Sequence, residues 1–269
     1  MLFTLVAGSM AGCLGALLGI GGGVFLVPIL NLVLHLPMRT AIGISLITVI
    51  ATSSVVSAKA GRLKVVNLRL GMVLEIFTTA GAAFAGLFAH SIQSRTLQWM
   101  FGWTMLAVAG AMLGRLGRRN VITDTDADVG VLGGRYHEDE SGGEVVYRVH
   151  RQPVAFGMSF VAGMLSTLVG IGGGVIKVPA LNAWCGVPLR AAAATSALMI
   201  GATAAAGVVP YFTHGDIQPE LAASTVLGVL VGSRVGFHIG DRSRARGLKI
   251  LMAVVLALVG LIYFFKAGQ

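Results

Sequence analysis

The first 38 residues carry no Asp, Glu, Lys or Arg, and this run constrains the fold more than any other feature of the sequence. As one helix it would be about 57 Å long, whereas the hydrocarbon core of a bilayer is about 30 Å thick. The run contains Gly-Ile-Gly-Gly-Gly at 19–23 and a proline at position 28. Because each glycine disfavours a helix by about 1 kcal/mol, the sequence predicts two helical pieces joined at the glycines.

Further runs without these charges follow at 40–58, 76–94, 96–114, 152–176, 191–215, 221–233 and 250–265. Apolar residues make up 55% of the 269 residues and charged residues 12%, too few to cover a soluble globule. This composition excludes a disordered chain, a secreted disulfide scaffold and an ordinary cytosolic enzyme. The two cysteines form no CxxC pair, so we expect no metal site and no cofactor. The sequence predicts an all-α polytopic membrane protein.

The sequence repeats itself with an offset of 151 residues. Residues 19–31 read GIGGGVFLVPILN and residues 170–182 read GIGGGVIKVPALN, with ten of 13 positions identical. The same offset relates Pro37 to Pro188, Arg39 to Arg190, Ser45 to Ser196 and Thr52 to Thr203. A duplicated membrane half is typical of secondary transporters. We expect two repeats, 1–114 and 153–269, each with a glycine-broken re-entrant or hairpin helix and about three transmembrane helices. That makes eight spans if the broken helices count once and up to ten if they count twice.

The segment 115–152 is the polar interruption between the repeats, with six Lys/Arg and seven Asp/Glu. Residues 136–139 and 144–149, joined through Ser-Gly-Gly at 141–143, predict a small β-hairpin. We expect a connector outside the membrane, and a regulatory ligand site within it is the alternative.

The positive charges favour repeats of opposite orientation. Lys177 and Arg234 lie within apolar runs and are not counted. If each glycine-broken run crosses the membrane once, 11 of the other Lys/Arg lie on one side and 7 on the other; if each returns to its starting side, the division is 15 to 3. The positive-inside rule favours the second arrangement. We therefore expect inverted repeats, with both termini outside the cell and 115–152 in the cytoplasm. The net charge of +9 does not indicate nucleic-acid binding, because no basic patch with interleaved aromatic residues occurs.

The doubled motif G-I-G-G-G-V-x-x-V-P-x-L-N, followed by P-x-R and a helix of small residues with Ser45 or Ser196, resembles the TauE/SafE sulfite exporter family, part of the 4-toluene sulfonate uptake permease superfamily. The resemblance covers nearly the whole chain outside the central segment. It implies transport of sulfur-containing anions, such as sulfite or sulfoacetate, across a bacterial or archaeal inner membrane. It does not fix the substrate or the direction of transport.

The glycine runs are the first candidate site. A new helix is expected to begin after each run, and its N-terminus offers unpaired N–H groups and a partial positive charge to a small oxyanion. If both breaks lie near the membrane midplane, the two N-termini face one cavity. The candidate residues are Gly21, Gly22, Gly23, Gly172, Gly173 and Gly174. The alternative is that the glycines only permit close helix packing.

Polar side chains near the glycines extend this candidate site. Asn31 and Asn182 lie two helical turns past the last glycine, and their amides either donate to the oxygens of the anion or form hydrogen bonds between helices. Ser45, Thr195 and Ser196 are weaker candidates, because a membrane Ser or Thr often bonds the backbone of its own helix.

Two ionisable residues lie in or beside apolar runs. Lys177 replaces the Leu26 of the first repeat, and a lysine in this position is costly unless it is paired or hydrated. It either supplies positive charge for the anion or forms an ion pair with Glu75. Glu75 is the candidate acid for proton coupling, and a structural partnership with Lys177 or Arg234 is the alternative.

These residues predict a secondary transporter that works by alternating access between the inverted repeats. The expected partners are a small anionic substrate, the lipid bilayer and a coupling proton or sodium ion, and a homodimer is left open. An anion channel, or a transporter of another oxyanion or carboxylate, is the alternative. The chain contains no Walker, HExxH or GxSxG motif, so we expect neither ATP hydrolysis nor enzymatic activity.

Overall fold

The computed structural model describes residues 1–18, 22–62, 65–113, 130–138, 143–240 and 245–268. The helices are α1 Leu2–Leu18, α2 Gly23–Pro28 with a π-helical continuation Ile29–Val33, α3 Met38–Arg62, α4 Leu68–Ala89, α5 Ser94–Leu113, α6 Gln152–Val169, α7 Gly174–Trp184, α8 Leu189–Thr213, α9 Pro219–Gly240 and α10 Ala245–Gly268. Two strands, β1 Gly134–Glu138 and β2 Gly143–Tyr147, pair antiparallel with Gly134 opposite Tyr147. They begin one or two residues earlier than the strands expected from the sequence.

The surface and the length of the helices are those of a membrane protein. Within the described residues, α4, α6 and most of α3 and α8 are long and apolar enough to span a bilayer, and α1, α2 and α10 contain shorter apolar stretches. Large apolar side chains point outward, as at Phe3, Leu87, Phe212 and Phe265, each more than 70% exposed. Water would not tolerate so much continuous apolar surface, whereas lipid does. The prediction of an all-α polytopic membrane protein is confirmed.

The helices recur with the offset found in the sequence. Helices α7 to α10 each begin 151 residues after their counterparts in the first half, and α6 begins 150 residues after α1. The counterparts are α1 and α6, α2 and α7, α3 and α8, α4 and α9, and α5 and α10. Five helices therefore form each half, and the same sequence signals begin equivalent helices twice.

Equivalent helices pack against each other in opposite directions. Along the contact between α3 and α8, Gly43 lies beside Tyr211, Ser53 beside Gly201, and the Ser57 hydroxyl donates to the Ala197 carbonyl over 3.4 Å. The residue number rises along one helix as it falls along the other. The contact between α5 and α10 behaves in the same way, with Trp99 against Phe264 and Leu106 against Gly260.

The other long helices pack across the halves, α1 on α9 and α6 on α4. Glycines make both contacts close. Gly163 of α6 lies against the backbone of Thr78, and Gly81 of α4 lies against the backbone of Phe160. Gly12 against Val229 and Gly232 against Ser9 repeat this contact between α1 and α9. Small residues let membrane helices approach closely enough for backbone contact, so these glycines hold the two halves together.

The glycine-broken helices return the chain to the side where it started. The Thr4 hydroxyl lies 2.7 Å from that of Ser224 near the start of α9, and Gly43 near the start of α3 contacts Ile217 in the connection between α8 and α9. The starts of α1 and α3 therefore share one face of the bundle. Phe264, close to the C-terminus, contacts Trp99 at that face. We call it the terminal face.

The β-hairpin lies at the opposite face, which we call the hairpin face. The Asn67 amide, before α4, donates to the Leu132 carbonyl over 2.9 Å, and the His150 N–H donates to the Cys185 carbonyl after α7 over 2.9 Å. Tyr136 and Tyr147 of the hairpin are buried against the ends of helices α4, α7 and α8. Burial raises the pKa of the Tyr147 hydroxyl, which stays neutral at physiological pH.

The glycine contacts generate a stability prediction. Gly163→Ala places a methyl group into the backbone of α4, so we expect it to destabilise the protein by about 1–3 kcal/mol. Gly157→Ala, on the same helix with open space around the position, is the matched control and should be neutral or stabilising by up to about 1 kcal/mol. Thermal unfolding of the purified variants in detergent measures both. Equal stability of the two variants would mean that the α4–α6 contact is not close in the folded protein.

Candidate substrate site at the glycine breaks

The second glycine run ends one helix and begins the next within four residues. Gly170, Gly172 and Gly173 have φ angles of 76°, 73° and 69°, which residues with a side chain rarely adopt. Gly170 closes α6, and its N–H donates to the Ser166 carbonyl over 2.9 Å. Gly173 opens α7, and its carbonyl accepts from the N–H of Lys177 over 3.1 Å. The glycines are therefore required by the backbone path and not only by packing.

The two glycine breaks meet in the centre of the protein. Gly21 lies outside the described residues. Gly22 packs against the Ala11 carbonyl, and Gly23 packs against the Gly170 carbonyl of the other half. The Ser45 hydroxyl donates to that same carbonyl over 2.6 Å. A side chain of one half thus bonds the broken backbone of the other.

The second half places its residues in the equivalent way. Gly172 packs against Val49 and Ile200, and Gly174 packs against Ile200 and Ser196. The structure therefore brings together Gly22, Gly23, Ser45, Gly172, Gly173, Gly174 and Ser196 of the predicted site. All seven are buried, and side chains of α3 and α8 fill the space around the glycines. The described side chains around these residues therefore pack in a closed arrangement.

The two asparagines lie at the far ends of the half-helices. Asn31 donates to the Leu36 carbonyl over 2.8 Å, and its oxygen accepts from the Tyr263 hydroxyl over 3.1 Å. Asn182 makes the equivalent bond to the Val187 carbonyl over 2.9 Å. Eight residues of helix place each amide about 12 Å from the glycines. The amides therefore bond the turns that lead into α3 and α8.

Thr195 is also separated from the glycines. Its hydroxyl oxygen accepts from the Asn67 N–H over 3.0 Å, where α8 meets the start of α4. The structure thus divides the predicted residues into a central group and an outer group. The outer group consists of Asn31, Asn182 and Thr195, each of which bonds a backbone group; Asn31 also accepts from the Tyr263 hydroxyl.

Lys177 and Glu75 form a buried ion pair beside the central group. The Lys177 side chain is 1% exposed, and its Nζ lies 3.7 Å from Glu75 Oε2. Nζ also lies 3.4 Å from the hydroxyl oxygens of Thr78 and Thr203. The other carboxylate oxygen, Glu75 Oε1, accepts from Thr203 over 2.8 Å and from Thr79 over 3.0 Å. We call these five side chains the Lys177 cluster.

The three threonines of the Lys177 cluster are not among the residues predicted from the sequence. Thr79 follows Glu75 by four residues, which places the two side chains on one face of a helix. Thr203 is the repeat counterpart of Thr52, and this correspondence is the only sequence feature that could have identified it as a site residue. Within the described part of the chain, no group of three or more His, Cys, Asp or Glu side chains could hold a metal ion.

The turn contacts of the asparagines generate a second stability prediction. Asn182→Ala removes the donor to a buried carbonyl, so we expect a loss of about 1–3 kcal/mol in the free energy of unfolding. Ser54→Ala removes an exposed intrahelical bond and should change it by less than about 0.5 kcal/mol. Denaturant unfolding in detergent compares them. An Asn182→Ala protein as stable as Ser54→Ala would contradict the turn-bonding role.

Comparison with known proteins assigns the chain to a family. Residues 4–263 match the family described as Sulfite exporter TauE/SafE. The chain is 28% identical over 262 residues to "Probable membrane transporter protein YunE" of Bacillus subtilis, covering 95% of this chain and 94% of that protein. It is 26% identical to "Probable membrane transporter protein MJ0441" of Methanocaldococcus jannaschii, covering 96% and 92%. No solved structure shows a significant match. The glycine-broken, duplicated chain is therefore a multi-pass membrane protein that belongs to the TauE/SafE sulfite exporter family.

Proposed function

We propose that this protein is a secondary transporter that moves small sulfur-containing anions, such as sulfite or an organosulfonate, by alternating access. The observation that carries the proposal is the meeting of two glycine breaks between equivalent helices that run in opposite directions. Broken helices at the interface of inverted repeats are where such transporters bind their substrates. Family membership supports a transporter and, through the family's description, a sulfur oxyanion.

The duplicated packing supports alternating access. Each half contributes one re-entrant helix, α2 or α7, and each is seated against the long helix that follows it, α3 or α8. A relative rotation of the halves about their shared interface opens the glycine breaks towards one face and then towards the other. The closed arrangement in the structure corresponds to the occluded step of that cycle.

The charge distribution supports an orientation in the cell inner membrane. By sequence, 15 Lys/Arg belong to the segments at the hairpin face and three, Arg39, Arg95 and Lys266, to those at the terminal face. The positive-inside rule then places the hairpin face in the cytoplasm and both termini outside.

The energy source follows from the sequence and the membrane potential. Without a Walker motif in this chain, the gradient of the anion, of protons or of sodium ions drives transport. An inside-negative potential favours the exit of an anion by about 2.3 kcal/mol per charge per 100 mV. Export therefore needs less coupling than uptake.

Flux into proteoliposomes tests the proposed function. We expect radiolabelled sulfite or sulfoacetate to enter faster than into empty vesicles, to saturate, and to exchange with unlabelled anion inside. Vesicles with the protein unfolded before reconstitution are the control. Unsaturable flux with large currents would indicate a channel, and flux of carboxylates alone would indicate another substrate class. No flux of any of these anions with folded protein would overturn the proposal.

Reporter fusions test the orientation. A periplasmic reporter fused after Gln269 should be active, and the same reporter inserted at Gly142, between the two strands, should be inactive. A cytoplasmic reporter should give the opposite pattern. The same activity at both positions would contradict the placement of the terminus and the hairpin on opposite sides.

A further inference from the structure

The Lys177 cluster lies between α4 of the first half and α7 and α8 of the second, and the repeat-related positions of the sequence do not carry a second such cluster. With the offset of 151 residues, Leu26 of the first half corresponds to Lys177, whereas Val226 and Leu230 of the second half correspond to Glu75 and Thr79. Leu26 is fully buried, as Lys177 is. Among the positions of the cluster, only that of Thr203 has the same residue type at the repeat-related position, Thr52. Equivalent positions between the halves therefore carry apolar side chains in one case and a buried charge pair in the other.

This difference indicates that the fold itself does not require the Lys177 cluster. A buried ion pair is rarely more stable than well-packed apolar residues in the same space, because both charges lose their hydration. The repeat-related residues Leu26, Val226 and Leu230 are all apolar, and the fold accommodates them. The charges therefore need another explanation, and ionisable residues inside a membrane protein mark ion and substrate pathways.

The carboxylate of Glu75 occupies a place suited to an oxyanion. Three donors surround its two oxygens: the Lys177 ammonium and the hydroxyls of Thr79 and Thr203. Charge-assisted hydrogen bonds of this kind would hold a sulfite or sulfonate group equally well. Lys177 lies in the first turn of α7, directly after the glycine break. The cluster thus adjoins the place where the two halves meet.

A narrow crevice connects the cluster with the hairpin face. It lies between α6 and α7 and is lined by Ala155, Ser159, Lys177, Leu181 and Cys185. Lys177 lies at its inner end and Cys185, which bonds His150 below the hairpin, at its outer end. Separation of α6 from α7 would open a route to Lys177 from that face.

We propose that Glu75 is the resident counter-ion of a substrate site formed by Lys177, Thr79 and Thr203, and that the transported anion displaces it. The inference rests on the proposed function and names the binding site within it. When the anion binds Lys177, the carboxylate of Glu75 takes one proton from water at the open face and withdraws as a neutral acid. When the anion leaves, Glu75 returns the proton to water and pairs again with Lys177. Glu75 therefore carries one proton for each anion that Lys177 binds and releases.

Few other groups compete for this proton. Besides Lys177, α7 carries no charged side chain, and α6 has no titratable residue between Gln152 and Val169. On α8, Arg190 lies in the first turn and Tyr211 near the last, where its hydroxyl donates to the Thr167 carbonyl. On α4, Arg69 lies in the first turn. Glu75 is thus the acid that faces Lys177.

Two substitutions with opposite expected effects test the inference, with sulfite at alkaline pH as the probe. Lys177→Leu should weaken sulfite binding by about tenfold or more, because it removes the charged donor. Glu75→Gln should keep or tighten sulfite binding, because it removes the competing carboxylate. The same variant should abolish the sulfite-driven proton uptake that a pH dye inside the vesicles reports. Two equally weakened variants, or Lys177→Leu with wild-type affinity, would overturn the inference.

The repeat supplies matched controls. Thr203→Val removes a donor to Glu75 and should weaken sulfite binding by about tenfold, whereas Thr52→Val removes bonds only to the carbonyls of Thr48 and Val49 and should change it less than twofold. The double variant Lys177→Leu, Glu75→Val copies the apolar residues Leu26 and Val226 of the repeat-related positions. It should fold with wild-type thermal stability and bind no sulfite, which separates loss of the site from loss of the fold. Equal effects of the two threonine substitutions would count against the inference.

Failure of the proposed function gives a different result. If the folded wild-type protein neither binds nor moves sulfite or sulfoacetate, both the transport proposal and the proposed substrate site are wrong. If the wild-type protein moves sulfite but the variants keep its affinity and its proton coupling, transport stands and the substrate site lies elsewhere.

Discussion

The contact between the two halves at Gly170 governs the centre of the protein. A helix that breaks inside a membrane frees backbone N–H and C=O groups, and apolar surroundings offer them no partners. Here the Ser45 hydroxyl of the first half donates a hydrogen bond to the Gly170 carbonyl of the second. Gly23 has no side chain, so the two halves can approach each other closely at this point. The break at Gly170 is therefore covered by residues of the opposite half.

The same constraint explains the arrangement of the buried polar groups. Thr78, Thr203 and Tyr211 each donate to a backbone carbonyl or to Glu75, and Asn31 and Asn182 bond the turns that follow the half-helices. Polar side chains within an apolar medium are stable only when their bonds are made. In the Lys177 cluster, Glu75 Oε1 accepts hydrogen bonds from two threonines, whereas Oε2 has no hydrogen-bond partner among the described residues and faces the Lys177 ammonium at 3.7 Å.

The sequence predicts the features that are local or repeated. Glycine runs in an over-long apolar segment predict the helix breaks, and the offset of 151 residues predicts the paired helices. The role of Asn31 was left open, because whether its amide faces a ligand or a turn depends on the path of residues 34–37. The partner of Lys177 was also left open, since Glu75 lies 102 residues away on a helix from the other half. Contacts across the interface follow from how the halves dock, which no local pattern encodes.

The one-sided charge pair has a consequence for the energetics of the cycle. In a perfectly symmetrical inverted duplication, the conformation open to one face is the image of the conformation open to the other, and the two are equal in free energy. Lys177 in one half and Leu26 in the other remove that degeneracy. In the proposed alternating-access cycle, this difference makes the two conformations of the empty protein unequal in free energy. Moving the whole pair, with Leu26→Lys and Val226→Glu together with Lys177→Leu and Glu75→Val, would reverse its contribution.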